Sequence, residues 1–139
     1  MTSYFVVPGR PVPKGRPRFM HHHIHTPQTT IDYEKLVVKS WQEQSGITFA
    51  EGEPLWVVVT AHFEIPSSLS KKKQEALVGT PHTKHRGDID NIVKSVLDAL
   101  NGHAFPDDCA VYAIQAEKIY GREPFTEVTI RGMEDFLHE

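Results

Sequence analysis

The sequence predicts an α/β (α+β) sandwich, a small mixed β-sheet packed against two main helices, built as a single domain over residues 1–139. Three observations predict it. Leu55–Phe63, LWVVVTAHF, is nearly all β-branched or aromatic, the composition of a strand. Asp88–Asn101 carries Ile89, Ile92, Val93, Val96, Leu97 and Leu100 on one stripe, the pattern of an amphipathic helix. Helix-like and strand-like segments alternate along 139 residues that are 39% hydrophobic, which suffices for one core without disulfide support.

The elements follow in order. Ser3–Pro8 reads as a short strand, and GRPVPKGRPRF after it holds too many prolines and glycines for a helix or inner strand, so it is expected to be a loop. Tyr33, Leu36, Val37, Ser40 and Trp41 recur at helical spacing and predict a helix from Ile31 to about Gln44, with Gly46 as its stop. Pro54 and Pro66 bound the Leu55–Phe63 strand, which is expected to be buried on both faces with His62 in a structural role. Ser67–Thr80 is polar and reads as a flap with a two-turn helix ending at Gly79. Gly102 closes the Asp88–Asn101 helix. Two further strands, near Ala110–Lys118 and Phe125–Arg131, are separated by a turn at Gly121–Pro124; strand order is not derivable from the pattern.

Charge is unevenly spread. The net charge of −3 argues against nucleic acid as a partner, but residues 1–31 hold Arg10, Lys14, Arg16 and Arg18 with no Asp or Glu. A second basic stretch runs through Lys71, Lys72, Lys73, Lys84 and Arg86. These nine residues are the candidate phosphate contacts, although any one such run is also what a solvated surface looks like. The lone Cys109, the absence of a basic-plus-apolar leader and the absence of an apolar run of ~18 residues predict a reduced, soluble, cytoplasmic protein with no membrane partner.

The chemistry concentrates in HRGDIDNIVKSVLDALNGHAFPDD, residues 85–108. Two carboxylates two apart on a regular helix diverge by roughly 200°. Asp88 and Asp90 can converge if Asp88 is the N-cap, in non-helical conformation, and Asp90 sits in the first turn. Asp90, Asn91, Lys94, Asp98 and Asn101 then form a polar quarter opposite the aliphatic stripe, with Lys94 one turn beyond Asp90. A plain reading remains open: a cap, a dipole-compensating acid and an exposed ion pair worth about 0.3–0.5 kcal/mol. The second acidic pair, Asp107-Asp108, leads into the next strand and makes three or four carboxylates that the layer is expected to gather at one end of the helix. Hard oxygen ligands suit Mg²⁺, with Mn²⁺ as a substitute, and Mg²⁺ typically keeps waters and substrate phosphate oxygens beside one or two carboxylates. Such a site is suited to phosphoryl chemistry, with Lys94 offering positive charge to the transition state.

GDIDNIVKSVLDALNG followed by FPDDCAV resembles the signature of the RusA family of Holliday-junction resolvases, in which D-x-D-N-x-x-K begins a helix and a D-D pair precedes a strand. The opening strand, the PGRPVPKGRPRF loop, the SKKKQEAL flap and the HTKHRGDIDN approach are similar to phage-borne members, so the resemblance spans nearly the whole chain. It implies a Mg²⁺-dependent endodeoxyribonuclease that cuts four-way junctions by paired symmetric nicks in DNA recombination and repair. It places the metal-binding aspartates at Asp88, Asp90 and Asp108, the essential lysine at Lys94 and an accessory acid at Asp107, in a homodimer with no small-molecule cofactor. The chain departs from that pattern at Met20-His21-His22-His23-Ile24-His25. That segment leaves a histidine-rich metal-binding module open. Two other readings stay open as well: a structural branched-DNA-binding factor whose acids serve only as caps, and a nuclease acting on flaps, single strands or RNA.

Overall fold

The computed structural model describes residues 1–133. One four-stranded sheet carries β1 (Thr2–Pro8), β4 (Leu55–Glu64), β5 (Val111–Gly121) and β6 (Phe125–Gly132) in the order β1-β6-β4-β5. β6 runs antiparallel to both β1 and β4, and β4 runs parallel to β5, so the sheet is mixed as expected. The turn after β5 therefore does not close a hairpin: β6 crosses past β4 to pair on its far side.

Two helices, α1 (Gln28–Gln44) and α3 (Ile89–Leu100), cover one face of the sheet. Along β4 every second residue, Leu55, Val57, Val59, Ala61 and Phe63, is fully buried, while Trp56, Val58, Thr60, His62 and Glu64 are half-buried. This corrects the expectation of a strand buried on both faces. Period-two alternation makes Phe5 and Val7 of β1 and Val128 and Ile130 of β6 join the same inner layer, against Tyr33, Val37 and Trp41 of α1 and Val93, Val96 and Leu100 of α3. On the outer face His62 takes its structural place: its ring stacks on Phe125 at 3.9 Å and its Nε2 lies 2.6 Å from Glu127.

Three boundaries shift. α1 starts at Gln28, directly after Pro27, three residues before the expected start at Ile31. The flap holds one short helix, α2 (Lys71–Leu77), with the Ser70 hydroxyl accepting from the backbone N–H of Lys73 as its cap. Within the Pro-rich segment β2 (Arg18–Met20) and β3 (His23–His25) form a two-stranded ribbon where a loop was expected. Its turn falls on His21 and His22, both at positive φ (51° and 65°), a pairing that the usual Asn-Gly signal does not announce.

Candidate active site and nucleic-acid groove

The N-terminus of α3 is assembled as the sequence predicts. Asp88 is the N-cap in extended conformation (φ −72°, ψ 149°), and its side chain makes no capping hydrogen bond, which leaves the carboxylate available. Asp90 lies in the first turn, and both residues are exposed. The helix dipole favours negative charge at this end. Lys94 is exposed one turn further on, and no carboxylate of the described residues lies within ion-pairing distance of it.

The chain reaches Asp88 along a fixed path. Gly87 has φ 108°, and a Cβ there would meet the Pro13 side chain at 2.7 Å, so no other residue fits without displacement. Lys118 Nζ donates to the Gly87 carbonyl at 3.0 Å, and the backbone N–H of Lys14 donates to the Asn91 carbonyl at 2.9 Å. The Pro-rich segment is thereby stapled to the first turn of α3.

The second acidic pair lies elsewhere. The backbone N–H of Asp108 donates to Asn101 Oδ1 at 3.1 Å, and Asn101 is the C-cap of α3. α3 is 12 residues long, so ~18 Å of helix separates this end from Asp88. The expectation that all the carboxylates gather at one end of the helix is corrected: a β-strand parallel to β4 must begin at the end of the sheet opposite the one where β4 finishes, and Asp107-Asp108 immediately precede β5. Among the described residues no group of three or more His, Cys, Asp or Glu side chains is placed to hold one metal ion, and this includes the histidines of the β2–β3 ribbon.

Asp107 and Asp108 behave as a pair. The backbone N–H of Cys109 donates to Asp107 at 3.1 Å, and with the hydrogen bond from Asp108 this holds the Asp107 carboxyl below its ordinary value. Partial burial, the Asp107 carboxylate and the charge of Asp98 push Asp108 up. A cation bound at Asp108 would relieve that repulsion.

Beside Asp88 lies a cavity of about 630 Å³ lined by Arg10, Arg16, Arg18, His85, Arg86 and Gly87 together with prolines of the loop. It brings Arg86, the last residue of the second basic stretch, beside the arginines of the first. The cations of its lining and the neighbouring Lys14, which does not itself line it, differ. Arg10 pairs with Glu64, and Lys14 Nζ sits 2.5 Å from Glu34 and 3.2 Å from Asp98, so both charges are already compensated inside the chain. Arg16, Arg18 and Arg86 have no ion-pair partner among the described residues. Lys71, Lys72 and Lys73 are exposed on α2, which Glu75 ties to Arg122 at 2.8 Å in the turn before β6, outside the lining of this groove.

Lys84 lines a smaller cavity of about 110 Å³ with Arg86, Glu64, His82 and Tyr120. His82 is 5% exposed, stacks on Phe63 at 4.2 Å and meets Tyr120 edge-on; its Nδ1 has no hydrogen-bond partner. Burial, with Lys118 and Arg86 nearby, lowers its pKa and keeps it neutral. His82 and Lys118 are the residues of the site region that the sequence pattern did not single out, whereas His85 lies in the basic approach to Asp88 and Asn101 on the polar quarter of the helix, both legible from the sequence. His82 and Lys118 take their positions from loop packing and strand pairing.

The sequence profile of the family described as Endodeoxyribonuclease RusA matches residues 8–131. A protein of Bacillus subtilis (strain 168), named Uncharacterized protein YqaN, is 34% identical over 134 residues, covering 91% of this chain and 94% of its own length.

Proposed function

This chain belongs to the RusA family of endodeoxyribonucleases, and on that premise we propose that it resolves four-way DNA junctions by paired nicks, dependent on Mg²⁺, in DNA recombination and repair. One observation carries the reading: the α3 N-terminus, with the uncommitted carboxylates of Asp88 and Asp90, follows directly on Gly87, which lines a groove whose uncompensated cations are Arg16, Arg18 and Arg86. Phosphate-binding cations and acceptor-only oxygens are mutually repellent to a single ligand unless a metal mediates. DNA backbone with a divalent cation satisfies both.

The donor set fits a hard cation, since Mg²⁺ typically takes one or two carboxylates and fills its remaining positions with water and phosphate oxygens. Asp88 and Asp90 would hold it, and Mn²⁺ is the expected substitute. When bound, the ion supplies Lewis-acid polarisation of the scissile phosphate. Arg16, Arg18, Arg86 and His85 hold the phosphates of the strand on either side and fix its register. Lys94, uncommitted to any carboxylate, places positive charge where negative charge builds up on the phosphate oxygens. No helix of the described residues is long and apolar enough to cross a membrane.

Asp108, with Asp107 beside it, serves as a further ligand from a second copy of the chain in a homodimer. The support is the ~18 Å of helix between Asp88 and the Asn101–Asp108 contact, against metal–oxygen bonds of about 2.1 Å: within one chain the two ends cannot share an ion. Two copies give two equivalent sites, which is the symmetry that paired nicks across a junction demand.

The test is cleavage of a labelled mobile four-way junction beside a matched linear duplex and a flap, with Mg²⁺ or with EDTA. Paired, symmetric, Mg²⁺-dependent nicks confined to the junction are expected. Equal cutting of the flap or duplex would overturn junction selectivity while leaving the nuclease assignment intact.

A further inference from the structure

In the β2–β3 ribbon Phe19 and Ile24 are register partners, so their side chains share one face; they are 70% and 74% exposed. Arg18, Met20 and His25 lie on the other face and line a cavity of about 430 Å³ with residues at the start of α1. The Phe19–Ile24 face is therefore turned outward. The His22 ring, at the turn of the same ribbon, approaches Phe19 edge-on at 6.2 Å. The turn puts His21 and His22 in the left-handed region, as a tight two-residue hairpin turn requires. A tight turn thus presents two large apolar side chains, Phe19 and Ile24, to water.

Charge identifies what covers them. No Asp or Glu occurs in residues 1–31, and Arg18 belongs both to the ribbon and to the groove that leads through Arg86 to Asp88. An apolar protein surface has no need of that uncompensated positive rim, whereas a polyanion with apolar faces at its centre matches it. DNA opened at a branch point is such a ligand: phosphates outside, unstacked bases inside. Apolar side chains inserted between base steps unstack and kink DNA, and aromatic rings accept bases by stacking.

We propose that Phe19 and Ile24 form an apolar wedge that packs against unstacked bases of the DNA substrate while Arg16, Arg18 and Arg86 hold the flanking phosphates. The proposal rests on the nuclease reading and adds to it a specific base-contacting element in the segment where this chain departs from the family pattern.

The probe is a four-way junction with 2-aminopurine at the branch point, whose fluorescence rises when the base unstacks, bound in EDTA so that nothing is cut. Wild type is expected to raise the signal; Phe19→Ser/Ile24→Ser is expected to lose the rise and to cut the junction at least 10-fold more slowly in Mg²⁺. Phe19→Trp, which keeps a stackable ring, is expected to retain both, separating loss of stacking from a disturbed ribbon. An unchanged fluorescence rise and cutting rate in the double variant would overturn the wedge. So would a shift of that variant from dimer to monomer in sedimentation with the fluorescence rise intact, since the face would then be a contact between copies. If wild type neither binds nor cuts the junction, the nuclease reading itself fails, a result distinguishable from wild-type cutting that is indifferent to the ribbon.

Discussion

Asn101 accepts a hydrogen bond from the backbone of Asp108 at one end of α3, while Asp88 caps the other end with its carboxylate unused. The two halves of the acidic constellation are held apart by a helix that is rigid through burial of Val93, Val96 and Leu100. If each active site combines the Asp88 end of one copy with the Asp108 end of another, Asp88→Asn and Asp108→Asn are each inactive alone. Mixed and allowed to exchange subunits, they regenerate one intact site in each mixed dimer and none in the parents. Single-strand nicking of the junction returns and paired cutting does not. A mixture as inactive as its parents contradicts the shared site.

The cations of the groove and the neighbouring Lys14 divide into those that are free and those already paired. Arg16→Ala, Arg18→Ala and Arg86→Ala are each expected to weaken junction binding and to lower the slope of log affinity against log salt by about 1. Lys14→Ala, which removes the partner of Glu34 and Asp98, is expected to leave that slope almost unchanged and instead to lower the urea midpoint. Fluorescence-anisotropy titrations across a salt series distinguish the two behaviours.

Gly87→Ala combines an unfavourable positive φ with a clash against Pro13. We expect it to cost about 1–3 kcal/mol of stability and to slow cleavage, because the displaced segment carries Arg86 on one side and Asp88 on the other. Urea unfolding and single-turnover cleavage measure the two effects separately.

His82 supplies the pH dependence. Its folded pKa is lowered by burial and by Lys118 and Arg86, so above its ordinary value both folded and unfolded chains are neutral at this position and it contributes no slope. As pH falls below that value the unfolded chain takes up a proton that the folded chain resists, and stability drops until the folded pKa is passed. His82→Phe, which can keep the stack on Phe63, is expected to flatten the loss of stability between about pH 7 and pH 5. Chemical denaturation over that range reads the difference.

The sequence carried the helix-capping half of the site well, because capping, dipole and stripe are local: Asp88, Asp90 and Lys94 could be positioned from spacing alone, and they lie where the spacing implies. The mixed sheet on two helices was legible from the alternation of elements. What was not legible depends on pairing between distant segments. Asp107-Asp108 lie at the far end of α3 because β5 runs parallel to β4, a register that no local pattern encodes. The partners of Lys14 and Arg10 come from α1, α3 and β4, so compensated and free cations look alike in the sequence. The ribbon was hidden because its turn uses two histidines in place of the residues that normally signal one.

On the proposed function, the carboxylates at the N-terminus of α3 bind the metal that drives strand cutting, and DNA is held by other groups. Asp90→Asn tests it most directly, with junction binding and junction cleavage measured on the same preparation in Mg²⁺ and in EDTA. The variant is expected to bind the junction at least as tightly as wild type, while its cleavage falls to the level wild type shows in EDTA. Cleavage by Asp90→Asn at the wild-type rate, still dependent on Mg²⁺, would contradict it.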